Sequence, residues 1–209
     1  MAGRRSAVAE QDVADEGRRG RILSAALQTF AERGFDGATT REIAERAGAN
    51  HGLIRYYFSS KEELWKAAVD RCFEELTGEL GDAAANQDVA AAETERLVRR
   101  FVHFTSRNPE FIRLMNDEGK RNGARMRWLV KRHVRPIYEA LVPRLEELGK
   151  QRGGPPIPPL SLYYIMVGAA GLIFSQAPEA KAASGEDPTT EAAVEAHADA
   201  VVSLLLGRR

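Results

Sequence analysis

Between Arg18 and Arg33 the apolar residues Ile22, Leu23, Ala26, Leu27 and Phe30 recur every three to four positions, the spacing of one helix face, and Gly34 supplies the stop. Residues 1–17 carry no such stripe and read as a flexible N-terminal arm. Thr39-Thr40-Arg41-Glu42 then forms a capping box, in which Thr39 accepts from the first-turn amides and Glu42 reaches back to the cap; it opens a second helix over 40–47. Gly48 provides a sharp turn, Asn50 caps a third helix, and Ser60-Lys61-Glu62-Glu63 is a second capping box. The fourth helix it opens runs to about Leu80, with Leu64, Trp65, Ala68, Cys72, Phe73 and Leu76 inward.

Beyond a small-residue linker at 81–91, helical spacing predicts elements at 93–107, 109–118, 123–150, 160–176 and 189–206. Gly153-Gly154-Pro155-Pro156 and residues 178–188 read as loops. Pro136 and Pro143 fall inside the longest of these segments and are expected to kink it. No alternating strand pattern occurs, so the expected fold class is all-α: an N-terminal three-helix head over 18–63 and a helical body over 64–209.

Composition narrows the class. With 209 residues, 44% of them hydrophobic and 29% charged, the chain is ordinary globular protein with enough apolar surface for a sizeable core. Its single cysteine, Cys72, leaves no internal disulfide or thiolate metal cluster and fits a reducing compartment. The most apolar stretch, 160–174, is interrupted by Ser161, Tyr163, Tyr164 and two glycines and is shorter than a bilayer span. Glu10, Asp12, Asp15 and Glu16 stand where a signal peptide needs its apolar core. The expectation is therefore a cytoplasmic protein that does not use a membrane.

Net charge is zero, which alone would argue against nucleic acid as a partner. Its distribution changes the picture. Residues 17–61 hold eight Lys or Arg and four Asp or Glu, so the head is basic and the remainder mildly acidic. Within this head Ala44 is the small residue needed where two helices cross, Gly48 follows four later at the turn, and Ile54 six later closes the apolar side together with Ile43 and Ala47. Those positions describe a helix-turn-helix. The other face of its second helix presents Asn50, His51, Gly52, Leu53, Arg55 and Tyr56 to a major groove.

The segment from Phe35 to Leu64, FDGATTREIAERAGANHGLIRYYFSSKEEL, resembles the DNA-binding domain of the TetR/AcrR family. The resemblance covers about residues 18–70; beyond that only the helical layout is similar. It implies double-stranded operator DNA as the partner, with Thr40 and Arg41 touching phosphate or base, and Asn50, His51, Gly52, Leu53, Arg55, Tyr56 and Tyr57 carrying recognition. It also implies a phosphate contact from Lys61, which agrees with an ammonium placed at a helix N-terminus. Many members carry Ser-Lys-Gly-Thr-Leu-Tyr where this chain has Asn50 to Arg55, so the operator is not copied from a relative.

Each of these residues has a plainer reading. Lone surface arginines are mostly solvated charges, His51 reads equally as phosphate contact or solvated surface, and either Tyr57 or Phe58 packs the third helix on the first. Arg4, Arg5, Arg18 and Arg19 are further candidates for flanking phosphates or the minor groove.

One recognition helix reads few base pairs, so a homodimer on a palindromic operator is expected. The resemblance implies that the helices at 160–176 and 189–206 pair with their copies as a four-helix bundle; alternatively they close the core of a single chain. It further implies a pocket for an unknown, partly apolar small-molecule effector, bounded by the fourth to eighth helices, whose binding releases a repressor from DNA through the fourth helix. Phe73, Phe101, Phe104, Phe111, Met115, Met126, Tyr138, Tyr163, Tyr164 and Met166 are the candidate lining, with Trp65 and Trp128, and with His103, Arg113 and Asn116 as polar anchors. Aromatic side chains at this spacing are more often core than pocket lining. The four histidines show no metal-ligand spacing, and neither a phosphate-binding glycine loop nor a nucleophile elbow is present, so no enzyme activity, cofactor or metal is expected. A ligand-independent architectural or adaptor protein that only dimerises on DNA is the alternative.

Overall fold

The computed structural model describes residues 2–81, 91–151 and 157–207, and every regular element among them is helical. The predicted linker beyond Gly81 and the Gly-Pro stretch at 153–156 lie outside the described residues. Two compact units emerge, Met1–Cys72 and Phe73–Arg209.

The first unit holds α1 (Ala2–Gly37), α2 (Thr40–Arg46), α3 (His51–Tyr57) and the first half of α4 (Lys61–Leu80). Helix α1 begins well before Arg18, so the segment expected as an arm is helical. An amphipathic stripe is not required for this: the segment is rich in Ala, Arg, Glu and Gln, which favour helix without one, and contains no proline. At Gly34 the backbone turns to φ 69°, breaking α1 as its sequence position predicts. The break lets Phe35 stack on Phe30 at 5.8 Å and meet Trp65 edge-on at 6.5 Å. Ile22, Ala26, Ile43 and Leu64 are wholly buried, and Phe30, Ile54 and Trp65 nearly so. Each of the buried Ile, Leu and Phe side chains contributes about 1.5–3 kcal/mol relative to exposure.

The second unit contains the end of α4, α5 (Ala91–Arg107), α6 (Pro109–Gly119), α7 (Ala124–Leu129), a π-helical turn (Val130–Val134), α8 (Arg135–Gln151), α9 (Pro159–Ser175), α10 (Ala177–Ser184) and α11 (Glu191–Leu206). The single segment expected at 123–150 is thus divided. Pro136 has no amide hydrogen for the carbonyl four residues back, and the wide π turn ahead of it, closed by the Arg135 amide on the Val130 carbonyl, accommodates its ring. Pro143 lies inside α8, which continues past it. Residues 177–184, expected as loop, form α10, with Pro178 in the first turn, where a missing amide costs nothing. The helix ends on Gly185 at φ 80°.

Helix α9 is central to this unit, packing on α5, α6, α8 and α11. Thr105 Oγ1 donates to the Ala170 carbonyl at 2.9 Å, joining α5 to α9. His197 Nε2 donates to the Ala169 carbonyl at 2.7 Å, joining α11 to α9. Close approach is possible because Gly171 has no side chain: a Cβ there would lie 2.6 Å from Ile112 Cγ1.

Candidate functional site

In the first unit, Thr39 caps α2 from an extended backbone, its side chain accepting the Glu42 amide at 3.1 Å. The reciprocal half of the predicted capping box is absent. The Glu42 carboxylate faces Arg33 Nε at 3.4 Å, a charged partner that outcompetes a neutral amide. Asn50 caps α3 by accepting the Gly52 amide at 2.8 Å, and Ser60 accepts the Glu63 amide at 3.1 Å at the start of α4. Gly48, at φ 59°, makes the turn between α2 and α3, and the Ala49 amide closes on the Ala44 carbonyl at 2.9 Å. Ile43, Ala44 and Ile54 are buried, locking α2 against α3. The pair is rigid because its short helices are capped at their starts and share a core.

The residues expected to contact DNA divide into three groups. Arg41, Asn50, Gly52, Arg55 and Tyr56 are exposed. Tyr56 is 77% exposed, an unusual position for a large aromatic ring, and Arg55 has no hydrogen bond or ion pair among the described residues. Arg41 is paired with Glu45, one turn on, at 3.2 Å in solvent. A second group is held by neighbours: His51 Nε2 lies 3.0 Å from Thr40 Oγ1, so these two side chains brace the N-termini of α2 and α3. The Tyr57 hydroxyl donates to the Asp15 carboxylate of α1, a bond that raises the phenol's pKa. Leu53 is half-buried. Of the two rings proposed to pack α3, Phe58 is the buried one, with the Arg19 guanidinium 5.5 Å from its centre. Lys61 stands alone in a third group, its ammonium 4.7 Å from the Phe35 ring centre and 3.3 Å from the Asp36 carbonyl. With Arg55, Thr39, Thr40, Ser59 and Ser60, it lines a surface notch.

In the second unit a cavity of about 610 Å³, including its opening, lies among α4, α5, α6, α8 and α9. Of the residues expected to line a pocket, Phe73, Phe101, Phe111, Met115, Tyr163 and Met166 do so, and Asn116 sits exposed on the wall. Phe104 is instead wholly buried core, packed edge-on to Phe111 at 5.4 Å, because its helix turns that position toward α6 rather than the void. Met126 belongs to α7 and Tyr138 packs edge-on to Tyr163; neither lines the cavity. Tyr164, one step round α9 from Tyr163, is 64% exposed. Trp65 belongs to the core of the first unit, Trp128 meets His133 edge-on, His103 pairs with Glu195, and Arg113 donates to the Ser175 carbonyl. The aliphatic wall, which includes Leu76, Leu97, Ile112, Ile137 and Val167, was not singled out by sequence reasoning; apolar periodicity marks inward positions without separating core from void.

Helix α9 is apolar on two sides. Leu162, Met166, Ala170 and Phe174 are buried, whereas Leu160, Tyr164, Ile165 and Leu172 are exposed, as is Leu204 on α11. Among the described residues no group of His, Cys, Asp and Glu side chains could hold a metal ion, and no single helix is long and apolar enough to cross a membrane.

Comparison with known proteins agrees with this architecture. Residues 22–68 match the family described as bacterial regulatory proteins, tetR family, and residues 91–205 match the tetracyclin repressor-like C-terminal domain. The transcriptional repressor AcnR of Corynebacterium diphtheriae is 30% identical over 151 residues, spanning 70% of this chain and 74% of that one. The transcriptional repressor NicS of Pseudomonas putida is 30% identical over 113 residues; that match spans 52% of this chain and only about half, 51%, of the relative's length. The structure of AibR in complex with isovaleryl coenzyme A and operator DNA has the same fold at 18% identity, with a TM-score of 0.71, covering 92% of this chain and all of that one. A helix-turn-helix head joined to this C-terminal domain, matched over more than half its length, places the chain in the TetR family of bacterial regulatory proteins.

Proposed function

We propose that this chain is a transcription regulator that binds double-stranded operator DNA as a homodimer and is released by a small-molecule effector. The observation that carries the reading is the outer face of α3: Arg55, without a hydrogen bond or ion pair among the described residues, beside a Tyr56 held 77% in solvent, on a helix fixed by its cap and by buried Ile54. A guanidinium presented this way can donate two parallel hydrogen bonds to a guanine edge. Lys61 and Arg41 supply charge for flanking phosphates. Leu160, Tyr164, Ile165 and Leu172 of α9 with Leu204 of α11 give the apolar surface for the partner protomer, which sets two heads about one duplex turn apart. AibR was crystallised with both an acyl-coenzyme A and operator DNA, and the cavity of the second unit supports a comparable sensing role here. In this reading the protein is a cytoplasmic binding protein, not an enzyme, and the cavity favours the ligand-responsive form over a purely architectural one.

The test is selection of genomic fragments by the purified protein, followed by gel retardation. Retention of a palindromic fragment, weakened about tenfold or more by Arg55→Ala, is expected. Failure to retain any genomic fragment at low salt overturns the proposal.

A further inference from the structure

The wall of the cavity in the second unit is chemically one-sided. Of its fifteen residues, thirteen present only hydrocarbon or thioether surface, and none carries a charge. Asn116 is exposed and belongs to the rim. Among the described residues that leaves Tyr163 as the one polar side chain within the wall. Its ring is held edge-on by Tyr138 at 5.3 Å and by Tyr164 at 5.4 Å, yet its hydroxyl makes no hydrogen bond among the described residues. Burial pushes this phenol up to about 12, so near neutral pH it is a donor and never an anion. A half-buried hydroxyl with no acceptor among the described residues has a hydrogen that it can give to a ligand. The rings of Phe73, Phe101 and Phe111, which line the same cavity, suit a flat apolar body.

We infer that the cavity takes an uncharged, ring-sized apolar molecule bearing a hydrogen-bond acceptor of the carbonyl class, and that the acceptor is met by the Tyr163 hydroxyl. An ionised group would lose its hydration against this wall without gaining a counter-charge, which selects against free carboxylates of the same shape. The inference rests on reading the second unit as the effector-binding one, and it narrows that reading to a ligand class and a specificity-determining residue.

Three naphthalenes of nearly equal size separate these properties: 2-acetonaphthone, neutral with an acceptor; 2-ethylnaphthalene, neutral without one; and 2-naphthoate, an anion. Equilibrium dialysis against the full-length protein is expected to rank the ketone about fivefold above the hydrocarbon, and the carboxylate at least tenfold below the ketone. Tyr163→Phe, which removes one oxygen, should abolish the preference for ketone over hydrocarbon while leaving hydrocarbon binding unchanged. Val167→Trp, which fills the cavity, should weaken all three. Binding of naphthoate as tight as that of the ketone overturns the inference. So does a ketone preference that survives in Tyr163→Phe, or binding that Val167→Trp leaves intact. No binding of any compound by protein with an intact helical spectrum also overturns it. Gel retardation of genomic DNA by the same preparation reads the DNA-binding proposal separately, so either claim can fail while the other stands.

Discussion

Adding one methyl group at Gly171 tests how tightly α9 is packed where it borders the cavity. The new Cβ would lie 2.6 Å from Ile112 Cγ1, 2.8 Å from Ile112 Cδ1 and 3.3 Å from Thr105 Cγ2. Carbon atoms are comfortable at about 3.5–4.0 Å, so Ile112 has to retreat by about 1 Å. Ile112 is 4% exposed, and the open space beside it is the cavity it lines. Overpacking of this kind costs about 1–3 kcal/mol, while replacing glycine by alanine in a helix returns about 1 kcal/mol. Gly171→Ala is therefore expected to destabilise the protein by about 1 kcal/mol net. In an Ile112→Ala background both crowded Ile112 atoms are gone and only the mild Thr105 contact remains. There the same substitution is expected to stabilise by about 1 kcal/mol, a coupling of about 2 kcal/mol between neighbouring sites. Urea unfolding of the four proteins, followed by far-ultraviolet circular dichroism at one fixed protein concentration, reads both effects as midpoint shifts at constant slope. An effect of Gly171→Ala equal in sign and size in the two backgrounds would refute the clash as its cause.

Two further outcomes follow from the charged groups. If Lys61 neutralises a phosphate, Lys61→Ala weakens operator binding and reduces the dependence of log affinity on log salt by about one per head, measured by gel retardation across a salt series; an unchanged slope removes Lys61 from the interface. Glu110, in the first turn of α6, has its carboxyl pKa raised chiefly by burial, so the native state favours the protonated form. Its stabilising share is present below the unfolded pKa and is lost as pH rises through the folded one. Glu110→Gln should accordingly gain thermal stability relative to the parent as pH rises from 4 to 7. A stability difference that is flat over that range speaks against burial as the cause.

Local chemistry made the head legible in the sequence. Thr39, Asn50 and Ser60 announce helix starts because a short polar side chain beside an unsatisfied amide has one obvious use. Gly34 and Gly48 announce turns because their backbones adopt positive φ. The outcome for Glu42 was decided at longer range, by an arginine nine residues earlier in the chain. The body was legible as helices but not as a cavity. Phe101 and Phe104 occupy one helix and are both buried, yet only Phe101 reaches the void; that difference depends on which helices lie opposite. Of the competing readings of α9, core and interface, the first holds for the side buried within the chain, and the exposed apolar side leaves room for the second. The helical course of residues 2–17 escaped notice because intrinsic propensity leaves no stripe.

The bond from Tyr57 to Asp15 has a consequence for how α3 meets its target. A phenol has one hydrogen to give. It can go to the Asp15 carboxylate or to a phosphate oxygen, but not to both, so a backbone contact through Tyr57 must first strip Asp15 of its donor. The carboxylate set free would then stand close to a polyanion. Recruiting Tyr57 to DNA thus carries a toll on the protein side, as does recruiting His51 away from Thr40, whereas Arg55 has no hydrogen bond or ion pair among the described residues to give up.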